Sequence, residues 1–506
     1  MSSTKIQGLL SHLGSHAASV EIINPSTGKN AYPLPQFTAH EVAVAAQALR
    51  DSAAVWADTP VHQRGQVLLN LHDLMIQHES ELLELLQFET GKARAHAFED
   101  FAGALNSARH FGKLAPKVLH TKRVRSGAPT LTRNYVDLVP VGIVGVITPW
   151  NYPLALTGLD VLPALAAGNP VLHKIDNQTA LTALYLRELA VQAGLPESAW
   201  TIVVGDGAEV GNAVTDNVDF VAFTGSTATG KIVAQRAAAR LIGCSLELGG
   251  KNPMIVLPSA NIKKAAKLAV TSSVANTGQL CVSIERVYVP NASIDEFIAA
   301  ATASANSLTI QKDGGFETDL GTLTGAAQFK RFTSMLADAE SKGATVAGGE
   351  PQPQIGPYFV SPAIVSHIPA DADLDRREVF GPILQVYGYD SVEDAIEAAN
   401  DTEFGLNASV IGNATEAMAV AKRLQAGSVN INEGFRASFA SMDSPMGGMK
   451  QSGQGRRNGD YGLTRFTEAK AIGVTTGFLA LPNNGHDYVF IRKLLILLSQ
   501  TLRRLP

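Results

Sequence analysis

Three short stretches carry residue types that can cooperate in covalent catalysis: Gly278-Gln279-Leu280-Cys281, Glu247-Leu248-Gly249-Gly250-Lys251-Asn252-Pro253 and Pro149-Trp150-Asn151-Tyr152-Pro153. They supply a thiol, a carboxylate and a carboxamide. A thiolate attacks a carbonyl carbon, an amide N–H stabilises the oxyanion that forms, and a carboxylate deprotonates the water that frees the product. The set suggests catalysis through a thioester. Each member also has a plainer reading. A single cysteine is usually a small buried hydrophobe, and Cys244, in a mostly apolar stretch, keeps that reading. Cys281 stands instead in a polar, glycine-containing turn ahead of Val287-Tyr288-Val289, where a reactive side chain reaches a cleft. Glu247 alone reads as a surface carboxylate, but Gly249 and Gly250 after it imply close backbone approach and favour a buried role. Asn151, flanked by Pro149 and Pro153, could simply shape a turn.

The elements that must position these residues alternate along the chain. Residues 1 to about 20 read as a loose lead-in, followed from His40 to Leu86 by apolar residues at helical spacing. Glu89-Thr90-Gly91-Lys92 marks a helix end, and a further helix runs to about Leu119. Thr130 to Leu138 reads as extended. Val141 to Ile147 is a buried strand with Asn151 at its exit, and helix Ala155 to Ala166 with strand Pro170 to Lys174 completes a βαβ unit. The alternation continues to Ala239, so the first sheet is parallel and gathers its ligands at the strands' carboxyl ends. A second α/β region runs from Asn252 to about Gly448. Gly225 to Lys231 matches a phosphate-loop spacing but is followed by Ile232, where that loop needs Ser or Thr for magnesium. Gly225-Ser226 still opens a helix whose N-terminal amides suit a pyrophosphate.

Taken together the motifs resemble the aldehyde dehydrogenase superfamily. Pro149 to Pro153, Phe223-Thr224-Gly225-Ser226, Glu247 to Pro253, Gly278 to Cys281 and Glu378-Val379-Phe380-Gly381-Pro382 stand in that family's order, and the resemblance runs from about Asn24 to Glu468. It implies two parallel-sheet α/β domains and a β oligomerisation arm: residues 1–121 and 140–247 for dinucleotide binding, 248–450 for catalysis, 122–139 and 451–490 for the arm, and 491–506 as a tail. It implies Cys281 as nucleophile, Glu247 as general base and Asn151 as oxyanion donor. The cofactor would lie on Lys174, Asn177, Thr148, Trp150, Gly225, Ser226, Glu378 and Phe380, and the chain would form a homodimer or homotetramer. Glu468 would relay a proton from the base, the alternative being a solvated charge. NAD-preferring relatives often carry a glutamate three residues past Lys174. Asn177 stands there and repels no 2′-phosphate, so NADP is expected over NAD.

Through Asn217 to Gly230, Arg240 to Gly243, Gln279 to Arg286 and Pro445 to Met449 the chain also resembles bacterial succinate-semialdehyde dehydrogenases of a second actinobacterial type. In the better-known succinate-semialdehyde enzymes, two arginines grip the substrate carboxylate; the corresponding positions are Asp160 and Ala275, which weakens that substrate because a guanidinium is a carboxylate's natural partner. Arg286 or Arg436 would have to substitute. Phe435, Phe439 and Met442 suit an apolar tunnel and the alternative of aromatic or longer aliphatic aldehydes, while a catalytically silent structural relative is the remote alternative.

At 506 residues the chain exceeds one ordinary core. Its charged fraction of 17% is low, which suits extensive buried or subunit-covered surface, and a net charge of −5 implies no polyanion partner. Nucleic acid leaves no footprint and no metal is expected. Two cysteines fit a reducing compartment; a polar N-terminus and no apolar run near 18 residues point to a cytoplasmic protein without a membrane span. The tail from Ile491 to Leu505, apolar between basic residues, reads as packing on a neighbouring subunit or as an interfacial membrane helix.

Overall fold

The computed structural model describes residues 2–127, 131–477 and 484–503. Parts of the expected arm (residues 128–130 and 478–483) and the last tail residues, 504–506, lie outside the described residues.

Two sheets carry the architecture. The first has six strands in the order Gly453–Gln454, Gly243–Glu247, Phe220–Thr224, Val144–Thr148, Val171–Ile175 and Trp200–Val203. All neighbours run parallel except Gly453–Gln454, which lies antiparallel to Gly243–Glu247. Its central strands are unbroken buried runs, such as Val144–Thr148, as expected where helices cover both faces. The second sheet has seven strands, ordered Thr345–Gly348, Ala363–Ser366, Ile383–Tyr389, Ile284–Pro290, Asn252–Val256, Asn407–Ile411 and Ser428–Ile431. It too is parallel apart from its first pair. A third sheet joins Thr132–Pro140 to Thr467–Thr475 and Lys122–Val124.

The N-terminal layer is helical as its apolar spacing requires: Ala39–Ala57, Val61–Gln77, Glu79–Thr90 and Arg94–Val118. Thr38 and Glu41 close a capping box on the first of these, and Gly91 ends the third at φ 69°. The wholly buried helix Pro153–Ala166 packs against Arg94–Val118 and contains one ionisable residue, Asp160.

Three boundaries differ from the sequence reading. Residues 1 to 20 are not a loose lead-in: Ser3–Leu10 is a helix that buries Ile6 and Leu9, three residues apart on one face. The segment 451–490 is not all arm, because Gly453 and Gln454 pair with Glu247 and Leu246 at the edge of the first sheet. Gly453, at φ 158°, permits this approach, since an added Cβ would stand 2.4 Å from the Leu246 carbonyl oxygen. The tail helix also starts before residue 491, spanning Gly485–Leu502 with Asn484 as its cap and with Leu494, Ile496 and Leu497 exposed. No helix among the described residues is long and apolar enough to cross a membrane.

Candidate active site

A cleft between the two sheets is lined by Trp150, Asn151, Gly225, Ser226, Leu248, Gly249, Cys281, Glu378 and Phe380, among others. Cys281 reaches it from a strained turn. Asn276, Thr277 and Gly278 all adopt left-handed φ, at 52°, 56° and 72°; two such non-glycine residues in a row are costly and persist only where the surroundings over-determine them. At Gly278 no side chain fits, since an added Cβ would lie 2.1 Å from the carbonyl carbon of Gly381. The glycine of one motif thus packs against the glycine of another. The Asn252 carboxamide donates to the carbonyls of Cys281 and Ser283, both at 2.7 Å, and fixes the turn from below.

Asn151 sits where strand Val144–Thr148 gives way to helix Pro153–Ala166, with Pro153 pre-set for the first helical turn. Its Nδ2 donates to the Gln279 carbonyl at 3.0 Å, and its own carbonyl accepts from Lys92 Nζ at 2.6 Å and Asn276 Nδ2 at 3.1 Å. A carboxamide nitrogen has two hydrogens, so one remains to stabilise an oxyanion. Asn151→Ala is expected to lower kcat about 10²- to 10³-fold while changing nucleotide affinity little, which steady-state kinetics beside a nucleotide titration would check.

Glu247 ends strand Gly243–Glu247 and is only 4% exposed. Neither carboxylate oxygen accepts a hydrogen bond from a described residue. Burial pushes its carboxyl up to about 7, opposed by the nearby guanidinium groups of Arg457 and Arg465. Burial likewise pushes the Cys281 thiol up to about 12, with the negative charges of Glu378 and Glu247 adding to the shift. The resting sulfur is therefore a thiol at neutral pH, and its proton must go to a base before attack. Glu378 is also raised to about 7 by burial, and its Oε1 accepts from the Gly250 N–H at 3.0 Å.

For the dinucleotide, Gly225 precedes the helix Thr227–Ala239, which Ser226 caps by accepting from the Thr229 N–H. Gly249 and Gly250 leave the backbone bare: added Cβ atoms would stand 2.6 Å from Glu378 Oε2 and 2.7 Å from the Cys281 carbonyl oxygen. Trp150 and Phe380 meet edge to face across the cleft at 5.7 Å. Lys174 is buried at the carboxyl end of its strand, and Asn177 just beyond it bridges the Gly205 N–H and Gln36 Oε1. These residues fit a nicotinamide dinucleotide. Thr148 is not among the residues that line the cleft, and its hydroxyl is paired with His173 Nε2 at 2.8 Å.

Another expectation is corrected. Arg286 cannot hold a substrate, because its guanidinium is saturated by the carbonyls of Lys251, Ala398 and Ala399 and by the Tyr288 hydroxyl. Glu468 is exposed on the third sheet, opposite Val139, which is the setting of a solvated charge. Arg436 stands over the Phe435 ring at 4.6 Å, with its Nε on Glu99 Oε1 at 2.9 Å. Phe435 belongs to an apolar wall with Tyr152, Leu156, Leu159 and Leu280, against which Cys281, Phe439 and Met442 pack. Sequence reasoning missed Lys92, Asn252 and the surroundings of Asp160. Lys92 directly follows the glycine of a helix end and Asn252 stands within the Glu247 to Pro253 stretch, so both lie beside signals that the sequence displays, whereas Asp160 does not.

The fold and cleft define a class. The profile of the aldehyde dehydrogenase family matches residues 13–472, and the chain belongs to that family. It is an oxidoreductase acting on aldehydes. Among curated relatives, it is 42% identical over 482 residues to the Mycolicibacterium smegmatis protein named "Putative succinate-semialdehyde dehydrogenase, NADP(+)", covering 95% of this chain and 93% of that one. A Mycobacterium ulcerans protein of the same name type is 41% identical with the same coverage. Among solved structures, a mutant of the Pseudomonas syringae aldehyde dehydrogenase AldC, complexed with NAD+ and octanal, is 32% identical with a TM-score of 0.86. That alignment covers 92% of this chain and 95% of the other.

Proposed function

We propose that the chain oxidises succinate semialdehyde to succinate with NADP+, through a thioester on Cys281. The observation that carries the chemistry is the convergence of Cys281 and Asn151 in one cleft with the buried Glu247 carboxylate near enough to raise the thiol's pKa. The Cys281 sulfur, its proton passed to Glu247, adds to the aldehyde carbon. Asn151 Nδ2–H and the Cys281 backbone N–H hold the oxyanion. When bound, the dinucleotide would supply the hydride acceptor that turns this adduct into the thioester. Glu247, once the thiol proton has passed from it to solvent, takes a proton from water, whose oxygen adds to the thioester; the thiolate leaves, regains a proton from Glu247, and the acid is released. Lys174, Asn177, Gly225, Ser226 and Glu378 are the residues assigned to the dinucleotide.

The substrate assignment is supported by the names of the mycobacterial relatives and by Arg436, a guanidinium stacked on Phe435 of the apolar wall against which Cys281 packs. NADP is supported by those names and by the neutral side chain at Asn177 beside Lys174. The apolar wall itself favours a second reading, a medium-chain aliphatic or aromatic aldehyde. Comparing kcat/KM for succinate semialdehyde, benzaldehyde and decanal, each with NADP+ and NAD+, separates the two. Succinate semialdehyde with NADP+ should lead, and Arg436→Met should cost it about tenfold or more while sparing decanal. A lead for decanal, or a clear preference for NAD+, refutes the corresponding part.

A further inference from the structure

Asp160, at a position where the better-known succinate-semialdehyde enzymes would put a substrate-gripping arginine, is instead the centre of a buried ionic cluster. Its carboxylate receives both the Nε (2.9 Å) and Nη2 of Arg457, and Nη2 of Arg465 at 2.7 Å. All three side chains are nearly inaccessible to solvent. The cluster is anchored to the strands around Glu247. Arg457 Nη2 also donates to the Thr224 hydroxyl, and Thr224 is the residue paired with Glu247 in the parallel ladder. Arg465 Nη1 donates to the Ser245 hydroxyl at 2.7 Å, two residues before Glu247 and therefore on the same face of its strand. Asp160 comes from helix Pro153–Ala166, Arg465 follows helix Gly459–Thr464, and Arg457 lies just beyond Gly453–Gln454, the edge strand on Glu247's other side.

We infer that Asp160, Arg457 and Arg465 are positioning residues that set the protonation of Glu247, through the single net positive charge they bury beside it. The inference rests on the reading of Glu247 as the base that deacylates the enzyme. Two guanidinium groups and one carboxylate neutralise one further anion, so the cluster is balanced when Glu247 is ionised. It acts through its field, because neither Glu247 oxygen accepts a hydrogen bond from a described residue. The charged groups that bear on Glu247 most strongly are these three and Arg456, with the Cys281 sulfur feeling its charge in return. Arg457 and Arg465 pull the carboxyl down and Asp160 pushes it up, against the larger effect of burial.

Charge-deleting variants should therefore move the base in opposite directions. Deacylation is read directly in single turnovers with enzyme in excess of aldehyde and saturating NADP+, following decay of the acid-quenched protein thioester across roughly pH 5.5 to 9. Asp160→Asn leaves both arginines and should shift the acid limb of the decay rate down by about one pH unit. Arg457→Gln should shift it up by about as much, Arg465→Gln should shift it in the same sense as Arg457→Gln, and Arg457→Lys should restore the wild-type limb. Arg465→Gln leaves the Asp160–Arg457 pair intact and is the variant to rely on if Arg457→Gln does not fold. Variants that slow decay without moving the limb, or that all move it one way, overturn the inference. If Glu247→Gln fails to trap the thioester, the reading of the base falls instead; if it traps the thioester while the limbs stay fixed, only the cluster's role falls.

Discussion

Replacing Cys281 by alanine is expected to abolish aldehyde oxidation, on the order of 10⁴-fold or more in kcat, as removal of a covalent nucleophile does elsewhere. Nucleotide binding should survive almost unchanged. The residues assigned to the dinucleotide come from the first sheet's strand ends and from the loop bearing Glu378, and none of them depends on the sulfur for its place. The turn itself is fixed by Gly278 against Gly381 and by Asn252 on main-chain carbonyls, all of which remain in the variant. Trp150, on the cleft wall, gives a fluorescence signal for titrating NADP+ with wild type and variant. Turnover retained within tenfold would remove the nucleophile assignment.

The second large effect is a change of rate-limiting step. Glu247→Gln keeps the shape of the carboxylate but cannot accept a proton, so acylation should proceed to one equivalent of reduced cofactor and then stall. Stopped-flow absorbance of the reduced nicotinamide should show a burst near the enzyme concentration, followed by a steady rate about 10²- to 10⁴-fold below wild type. Because Glu247 also serves as acceptor for the thiol proton, the burst should slow as well, by less than the steady phase. The wild-type steady rate should fall as pH drops below about 7, where burial leaves this carboxyl half protonated. The sign follows from its role, since only the ionised form is a base. A variant with normal steady turnover would place the base elsewhere.

Which parts were legible in the sequence follows from how local their causes are. Cys281, Asn151 and Glu247 were readable because each is presented by a turn whose chemistry is written within a few residues: Gly278 before the nucleophile, Pro153 after the amide, Gly249 and Gly250 after the base. The alternating strands and helices were readable for the same reason, through unbroken apolar runs and helical spacing. Arg286 misled because a guanidinium shortly after the nucleophile in sequence says nothing of how many carbonyls will surround it; the strand Ile284–Pro290 carries it into the sheet's interior instead. Glu468 was left between a proton relay and a solvated charge, and its exposed place on the third sheet favours the second. Asp160 was hardest, since its partners lie 297 and 305 positions away and no window on the sequence joins them.

One buried carboxylate ties the two ends of the cleft to each other. Glu285 Oε1 accepts from the main-chain N–H groups of Val379 and Phe380 at 2.8 and 3.1 Å, and its Oε2 pairs with Lys251 Nζ at 2.7 Å. Val379 follows Glu378, Lys251 stands four residues after Glu247, and Glu285 itself comes four after Cys281. The wall that bears Glu378, the turn that offers the sulfur and the stretch leading from the base are thus clamped at one point, so that slack introduced in any of them is shared by all three.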